Sequence, residues 1–241
     1  MKKLSIVIPC YNEEEGINNL ALQLKPVIRE LKKKYSIELI LVNDGSTDRT
    51  LILLSKYFKK EKYAKVITYE KNRNLGGALK EGFKHITGDL VITADSDCTY
   101  PPKEMINLLN LLDENIDIVT ASPYHPKGRV ANVLPYRLFL SKTVSFIYSL
   151  ILNKRLHTYT AIFRVYRRDV IDNVKIRSNG FIGVTELLIS SLMKGYKVRE
   201  FPTTIYGRTF GQSKIKTLGV IREHMRLISY ILKLKLMGWR I

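Results

Sequence analysis

The feature that most constrains this chain is a regular alternation of short, β-branched apolar runs with longer helical patterns, sustained from Leu4 to Thr120. Leu4 to Ile8, Leu39 to Val42, Val66 to Tyr69, Leu90 to Ala94 and Ile116 to Thr120 read as strands. Ile17 to Lys33, Thr50 to Lys60, Leu75 to Ile86 and Lys103 to Leu112 read as the helices between them. Strands separated by helices pair in parallel, and right-handed crossovers then predict an α/β fold: a mostly parallel, twisted, doubly wound sheet with helices on both faces. Sheets of this kind bind ligands beyond the carboxyl ends of their strands. At 241 residues and 45% hydrophobic, the chain can bury such a core.

After Thr120 the pattern changes. A loop rich in proline, glycine and basic residues (Pro123 to Pro135) precedes an apolar helix, Tyr136 to Leu152. A strand near Ile162 to Tyr166, a helix at Val184 to Met193 and a strand at Lys197 to Phe201 follow. A polar loop, Gly207 to Lys214, then leads to a final helix from Lys216.

Three strand ends carry polar motifs. In IVIPCYNEEE, Pro9 is expected to end ladder pairing, and Asn12 with Glu13 to Glu15 to cap the next helix. In LVNDGSTDRT, Asp44 falls at the sheet edge and Gly45 in a tight turn, with Ser46, Thr47 or Asp48 as a cap. In LVITADSDCTYPP, Asp95 and Asp97 flank a single residue after a buried run. Two carboxylates so close repel unless a cation lies beside them, and Mg²⁺ or Mn²⁺ would bind one or two such oxygens together with a diphosphate. Each motif alone is an ordinary turn; three at the ligand-binding ends of a doubly wound sheet point to a nucleotide site.

Charge is distributed unevenly. Of the net +18, residues 1–126 hold 18 basic and 17 acidic side chains, and residues 127–241 hold 22 basic and 5 acidic. The second half therefore suits a polyanionic partner, an anionic membrane surface with a lipid phosphate or a nucleic acid. No recognition helix or aromatic RNA motif accompanies the charge, so nucleic acid is not the expected partner. No run approaches the roughly 18 to 20 apolar residues of a membrane span, and the N-terminus reads as a strand rather than a signal peptide. The final helix places Leu218, Ile221, Met225, Ile228, Leu232 and Leu236 on one stripe and Arg222, Arg226, Lys233 and Arg240 on another, an amphipathic pattern suited to a lipid interface. Cys10 and Cys98 make neither a disulfide framework nor a zinc site. His85, His125, His157 and His224 lack metal-ligand spacing and read as packing or surface residues, and Arg164, Arg167 and Arg168 as strand-edge or surface charges.

In the order IVIPCYNEEE, VNDGSTDRT, NRNLGGALKEG, DSDCTYPP, SPYHPKG, FRVYRRDV, ELL (Glu186 to Leu188) and RTFGQSK, the chain resembles the family 2 glycosyltransferases of the GT-A fold, especially the polyprenyl-phosphate sugar synthases. The resemblance runs from about Leu4 to about Leu218. It implies a Rossmann-like GT-A domain over residues 1–215, with a nucleotide-sugar half (1–122) and an acceptor half (123–215), plus an amphipathic basic helix over residues 216–241.

The resemblance also implies roles. Pro9, Tyr11, Glu13 and Asp44 would hold the nucleoside, with Ser96 beside the donor. Asp95 would lie near ribose and metal, and Asp97 would bind the metal. Thr99 stands where the family has a glutamine that meets the metal. Arg208 would meet the donor phosphates with Ser213 and Lys214 in the same loop, and Arg137 with Ser141 would hold an acceptor phosphate. Pro123 replaces a second arginine expected just before Tyr124, with Lys127 or Arg129 as alternatives. The expected reaction is an inverting transfer from a nucleotide sugar (GDP-mannose or a UDP-hexose) to a polyprenyl phosphate, by an enzyme lying peripherally on the cytoplasmic face of a membrane. In the rival reading a hydroxyl of a glycan is the acceptor and Glu186 the general base.

Overall fold

The computed structural model describes residues 1–211 and 217–237. Its elements run β1 (Lys3–Cys10), α1 (Ile17–Leu31), β2 (Ser36–Asp44), α2 (Thr50–Phe58), β3 (Ala64–Tyr69), α3 (Asn74–Phe83), β4 (Leu90–Thr93), α4 (Glu104–Asn110) and β5 (Ile118–Ser122). Then follow β6 (Arg129–Ala131), α5 (Pro135–Leu152), β7 (Arg164–Arg167), α6 (Arg168–Asn173), α7 (Ile182–Met193), β8 (Val198–Pro202), β9 (Thr204–Tyr206) and α8 (Thr217–Leu236).

Seven strands form one sheet in the order β3-β2-β1-β4-β7-β5-β8, parallel except for β7, which runs antiparallel to both neighbours. Successive residues of a strand face opposite sides. Leu4, Ile6 and Ile8 therefore pack with Leu20, Leu24, Phe58 and Leu108 on one face, and Val7 packs with Leu79, Tyr148, Leu188 and Ile231 on the other. Both faces are covered by helices, so the central strands β1, β2 and β4 are almost continuously buried rather than alternating.

Pairing on the β2 side of β1 runs through Pro9↔Val42 to Cys10↔Asn43, whereas pairing with β4 stops at Val7↔Thr93. Pro9 therefore ends the ladder on one side only, a correction to the sequence expectation. Ala94 N donates to Val7 O, so Val7 faces β4. Residues of a parallel strand alternate between neighbours, and Pro9, two positions on, turns its missing N–H to the side where β4 has finished.

The chain order reverses between β1 and β4, which opens a crevice beyond their carboxyl ends. A second, two-stranded parallel ladder, β6 with β9, stands beside it. This ladder ties the segment before α5 to the segment that leads into Arg208, since Gly207 N donates to Ala131 O.

Arg164 corrects the sequence reading most. It lies on a central strand and is completely buried, not a strand-edge charge. Its guanidinium donates to Thr120 Oγ1 (2.9 Å), Val184 O (2.7 Å) and Tyr159 O (2.7 Å), joining β5, α7 and the loop after α5.

Candidate active site

The loops that follow β1 and β2 are stitched together. Asn12 N donates to Ser46 Oγ (3.0 Å), Glu13 N to Thr50 Oγ1 (2.7 Å), Glu14 N to Asp48 Oδ2 (3.1 Å), and Thr47 N to Asn12 Oδ1 (2.8 Å). Asn12 and Gly45 both adopt positive φ, 51° and 65°, to make the turns. Asp48 caps α2 through Thr50 N (2.9 Å), as one of the three candidates. Asn12, Ser46 and Thr47 instead join the two loops, and α1 starts from Gly16 without a side-chain cap.

Asp44, at the end of β2, is held by three donors from the last residue of β3 and the segment after it. Tyr69 Oη (2.6 Å) and Arg73 N (2.8 Å) reach Oδ1, and Asn72 Nδ2 (3.0 Å) reaches Oδ2. Burial pushes the Asp44 carboxyl above the usual range, and these hydrogen bonds oppose the shift. The Arg73 guanidinium lies 4.3 Å from the Tyr69 ring centre, so aromatic and cationic surface adjoins the carboxylate. Sequence reading gave no role to Tyr69, Asn72 or Arg73, although Asn72 and Arg73 open the NRNLGGALKEG element. Those glycines serve packing: Gly76 N and Gly77 N donate to Gly180 O and Asn179 O, and a Cβ at Gly76 would lie 2.5 Å from Ser178 O.

The loop after β4 carries Asp95, Ser96 and Asp97, and turns at Cys98 with φ 57°. Thr99 N donates to Asp97 Oδ1 (3.1 Å), and Tyr206 N of β9 donates to Thr99 O (2.9 Å). Arg208, two residues after β9, then reaches back over the crevice. Its Nε donates to Asp97 Oδ2 (2.9 Å) and its Nη2 to Glu13 Oε1 (2.8 Å). Gly211 N donates to Glu15 Oε2 (3.0 Å). The strand ends of β1 and β4 and the segment after β9 thus converge, with Pro9, Ser96 and Glu13 buried and Tyr11 half-buried at their margin.

Burial and the charge of Asp97 push the Asp95 carboxyl well above its ordinary range, with Arg208 opposing and Glu13 adding to the shift. Burial alone would lower the Arg208 pKa, yet the carboxylates of Asp97 and Glu13 overcome it and raise the value. Among the described residues the Arg208 guanidinium acts on three carboxylates, Glu13, Asp95 and Asp97, an acidic cluster of the kind that a divalent cation stabilises. Among the described residues no three His, Cys, Asp or Glu side chains converge as a complete ligand set. The two carboxylates of the loop after β4, Asp95 and Asp97, are oxygen donors of the kind that Mg²⁺ or Mn²⁺ takes one or two of, completing its shell with phosphate and water.

Arg137 and Ser141 sit on the first turns of α5, just beyond β6. Arg137 Nε donates to Tyr136 Oη (3.1 Å), and Ser141 Oγ pairs with Thr160 Oγ1 (2.7 Å). The β6–β9 ladder joins the segment before them to the segment that leads into Arg208. Thr99 presents its backbone to Asp97 and Tyr206. Glu186 Oε2 accepts from Arg177 N (3.1 Å) and Ser178 N (2.9 Å), so this carboxylate braces the loop before α7 and nothing in the geometry favours it as a base. Ser213, Lys214, the helix start at Lys216, and Arg240 lie outside the described residues.

Comparisons with known proteins agree with this architecture. Residues 5–175 match the model of the family described as Glycosyl transferase family 2. Undecaprenyl-phosphate 4-deoxy-4-formamido-L-arabinose transferase of Salmonella choleraesuis (strain SC-B67) is 30% identical over 231 residues, which is 95% of this chain and 67% of that protein. The same enzyme of Salmonella newport (strain SL254) gives the same identity and coverage. Glucosyl-3-phosphoglycerate synthase from Mycobacterium tuberculosis, solved with Mn²⁺ and UDP-glucose, superposes with a TM-score of 0.70 at 18% identity, over 96% of this chain and 78% of that one. Its complex with Mg²⁺ and UDP gives a TM-score of 0.69 at 18% identity, with the same coverage. At that identity the structural likeness establishes the GT-A fold.

Proposed function

This chain belongs to glycosyl transferase family 2, and from that premise we propose that it transfers a sugar, with inversion, from a nucleotide-sugar donor to a polyprenyl phosphate at a membrane surface. The observation that carries the reading is the convergence of Asp97, Glu13 and Arg208 at the crevice between β1 and β4, on the edge that also presents Asp44.

In this reading Asp44, Tyr11 and Pro9 line the nucleoside pocket, with Ser96 beside it. Asp95 and Asp97 would hold Mg²⁺ or Mn²⁺, with Thr99 next to them. When bound, the cation would supply charge neutralisation of the departing diphosphate. Arg208 donates hydrogen bonds to the same phosphate oxygens as negative charge accumulates there, with Lys214 in the same segment. Arg137 and Ser141 orient the acceptor phosphate, so that its oxygen forms a bond to the anomeric carbon as the bond to the diphosphate breaks. A phosphate oxygen is already ionised at neutral pH and needs no general base, which accords with a Glu186 engaged in bracing a loop. Residues 1–215 act as the GT-A unit, divided into donor (1–122) and acceptor (123–215) halves, with residues 216–241 as the membrane-facing addition.

The acceptor's chemistry is supported by an exposed apolar surface on α5 and α8, which pack against each other. Phe139 (69% exposed), Phe146 (63%) and Leu150 (64%) project from α5, and Leu218 (82%), Met225 (64%) and Leu236 (89%) from α8. Lys142, Arg222, Arg226 and Lys233 are exposed among them. Apolar groups that enter the headgroup boundary, edged by cations, suit an anionic lipid surface. Among the described residues no helix is long and apolar enough to cross a membrane, so attachment in this reading is peripheral, at the cytoplasmic face.

The test is a donor screen. Radiolabelled GDP-mannose and UDP-hexoses are incubated with liposomes that contain or lack polyprenyl phosphate, with Mn²⁺, Mg²⁺ or a chelator. The expected outcome is label in the organic phase only with both the lipid phosphate and a metal. Transfer that proceeds equally without the lipid phosphate would overturn the acceptor.

A further inference from the structure

Arg208 and a divalent cation have overlapping claims on one carboxylate. Asp97 Oδ1 accepts from Thr99 N, and Oδ2 accepts from Arg208 Nε at 2.9 Å. Both oxygens of Asp97 are thus engaged, and a cation held by this carboxylate would compete with the guanidinium for Oδ2. The other edge of the guanidinium is anchored 2.8 Å from Glu13 Oε1, on a buried side chain whose own backbone N–H is fixed to Thr50 Oγ1. The segment has a firm base, since Gly207 N is bonded to Ala131 O and Tyr206 N to Thr99 O.

We infer that Asp97 exchanges partners during each turnover, releasing the Arg208 guanidinium when it takes up the cation, while Glu13 keeps Arg208 tethered and turns it toward the donor diphosphate. The inference rests on the donor-site reading above and deepens it. It makes Glu13 a positioning residue that acts through Arg208, rather than a group that touches the nucleoside. It also predicts a change of sign: Arg208 opposes cation binding on the bare protein and favours it once a nucleoside diphosphate is present. A fixed salt bridge would oppose the cation in both states and show no reversal. The coupling is reciprocal, so the cation must weaken the hold of Arg208 on Asp97 by the factor with which Arg208 weakens the cation.

The experiment is a Mn²⁺ titration of the full chain, with free Mn²⁺ read by electron paramagnetic resonance, first alone and then with UDP. Without nucleotide, Arg208→Ala is expected to bind Mn²⁺ on the order of fivefold or more tighter than the unmodified protein. Arg208→Lys keeps the charge but cannot fork across two carboxylates, and is expected to tighten binding as well. With UDP both variants are expected to bind Mn²⁺ more weakly than the unmodified protein. Equal or weaker binding by the variants without nucleotide overturns the exchange. Glu13→Gln tests the tether: it is expected to weaken UDP and Mn²⁺ binding when Arg208 is present and to add nothing in the Arg208→Ala background. A full additional loss there assigns Glu13 to direct ligand contact and overturns the positioning role. Asp97→Asn separates this from the parent reading. If that variant keeps UDP-dependent Mn²⁺ binding, the donor-site reading itself fails; if it loses it while the arginine variants do not tighten, only the exchange fails.

Discussion

The guanidinium of Arg208 lies 2.9 Å from the carboxylate of Asp97, although 111 positions separate them in the chain. The contact joins the segment after β9 to the loop after β4, and it defines the crevice. Burial first and the charge of Asp97 second hold the Asp95 carboxyl well above its ordinary range against the opposing Arg208 guanidinium, so a further cation in the crevice would let both carboxylates ionise at lower cost.

Arg164 is the opposite case, a charge settled by neutral partners. Replacement by alanine removes three hydrogen bonds at a completely buried position, and leaves Val184 O and Tyr159 O without their donor. A loss of about 3 kcal/mol or more is expected from the cavity and the stranded carbonyls. Urea unfolding followed by circular dichroism checks this; an unchanged midpoint contradicts it.

His224 on α8 accepts or donates one hydrogen bond, with Tyr148 Oη of α5 at 2.9 Å, and burial pushes its pKa down to about 4. The unfolded chain takes up this proton near the ordinary value of 6.5, whereas the folded chain does so only near 4. The folded state therefore binds fewer protons between those values, and stability falls as pH drops from about 6.5 toward 4. His224→Gln removes this part of the pH dependence. Melting temperatures measured across the interval test it, and parallel curves for the two proteins would count against it.

The exposed phenylalanines give a separate handle on the membrane. Replacing Phe139 and Phe146 with serine should lower partition onto anionic liposomes without lowering thermal stability, because neither side chain is in the core. Arg222→Ala with Arg226→Ala should lower it further, by about 1 kcal/mol per charge, in a salt-dependent way. Liposome flotation at two ionic strengths reads both effects; unaltered flotation by both variants would remove this face from the account.

Arg137→Ala should raise the KM for the lipid phosphate by about tenfold, as expected for loss of a charge-assisted hydrogen bond, and leave the KM for the donor in place. A rise confined to the donor would move Arg137 to the other substrate.

Much of the fold was legible because its strands are short and separated by periodic helices, so that β1 to β5 and α1 to α4 were anticipated within a few residues at their ends. The position of Asp44, Asp95 and Asp97 at the strand ends was legible for the same reason, since carboxylates can be placed there once the strands are parallel. Reversal of β7 was not legible, because an antiparallel strand inserted between two parallel ones leaves no mark in a short apolar run. The burial of Arg164 followed from that insertion, as did the error of reading it as a surface charge. Asp44's partners Tyr69, Asn72 and Arg73 were missed because their contacts span 25 to 29 positions. On α8, the stripe expected from periodicity splits: Ile228 packs inward with Leu227 and Ile231, and Leu218, Met225, Leu232 and Leu236 stay exposed. A helical wheel orders residues around an axis but does not say which side meets the protein.

The central claim, a cation-assisted sugar transfer at Asp97, is tested most directly by assaying Asp97→Ala for transfer of labelled sugar to polyprenyl phosphate, in saturating Mn²⁺ and in chelator, with the fold checked by circular dichroism. The account predicts a folded protein whose transfer is reduced by roughly a hundredfold or more, to the level the unmodified enzyme shows in chelator. Full activity of that variant, unaffected by metal or chelator, would contradict it.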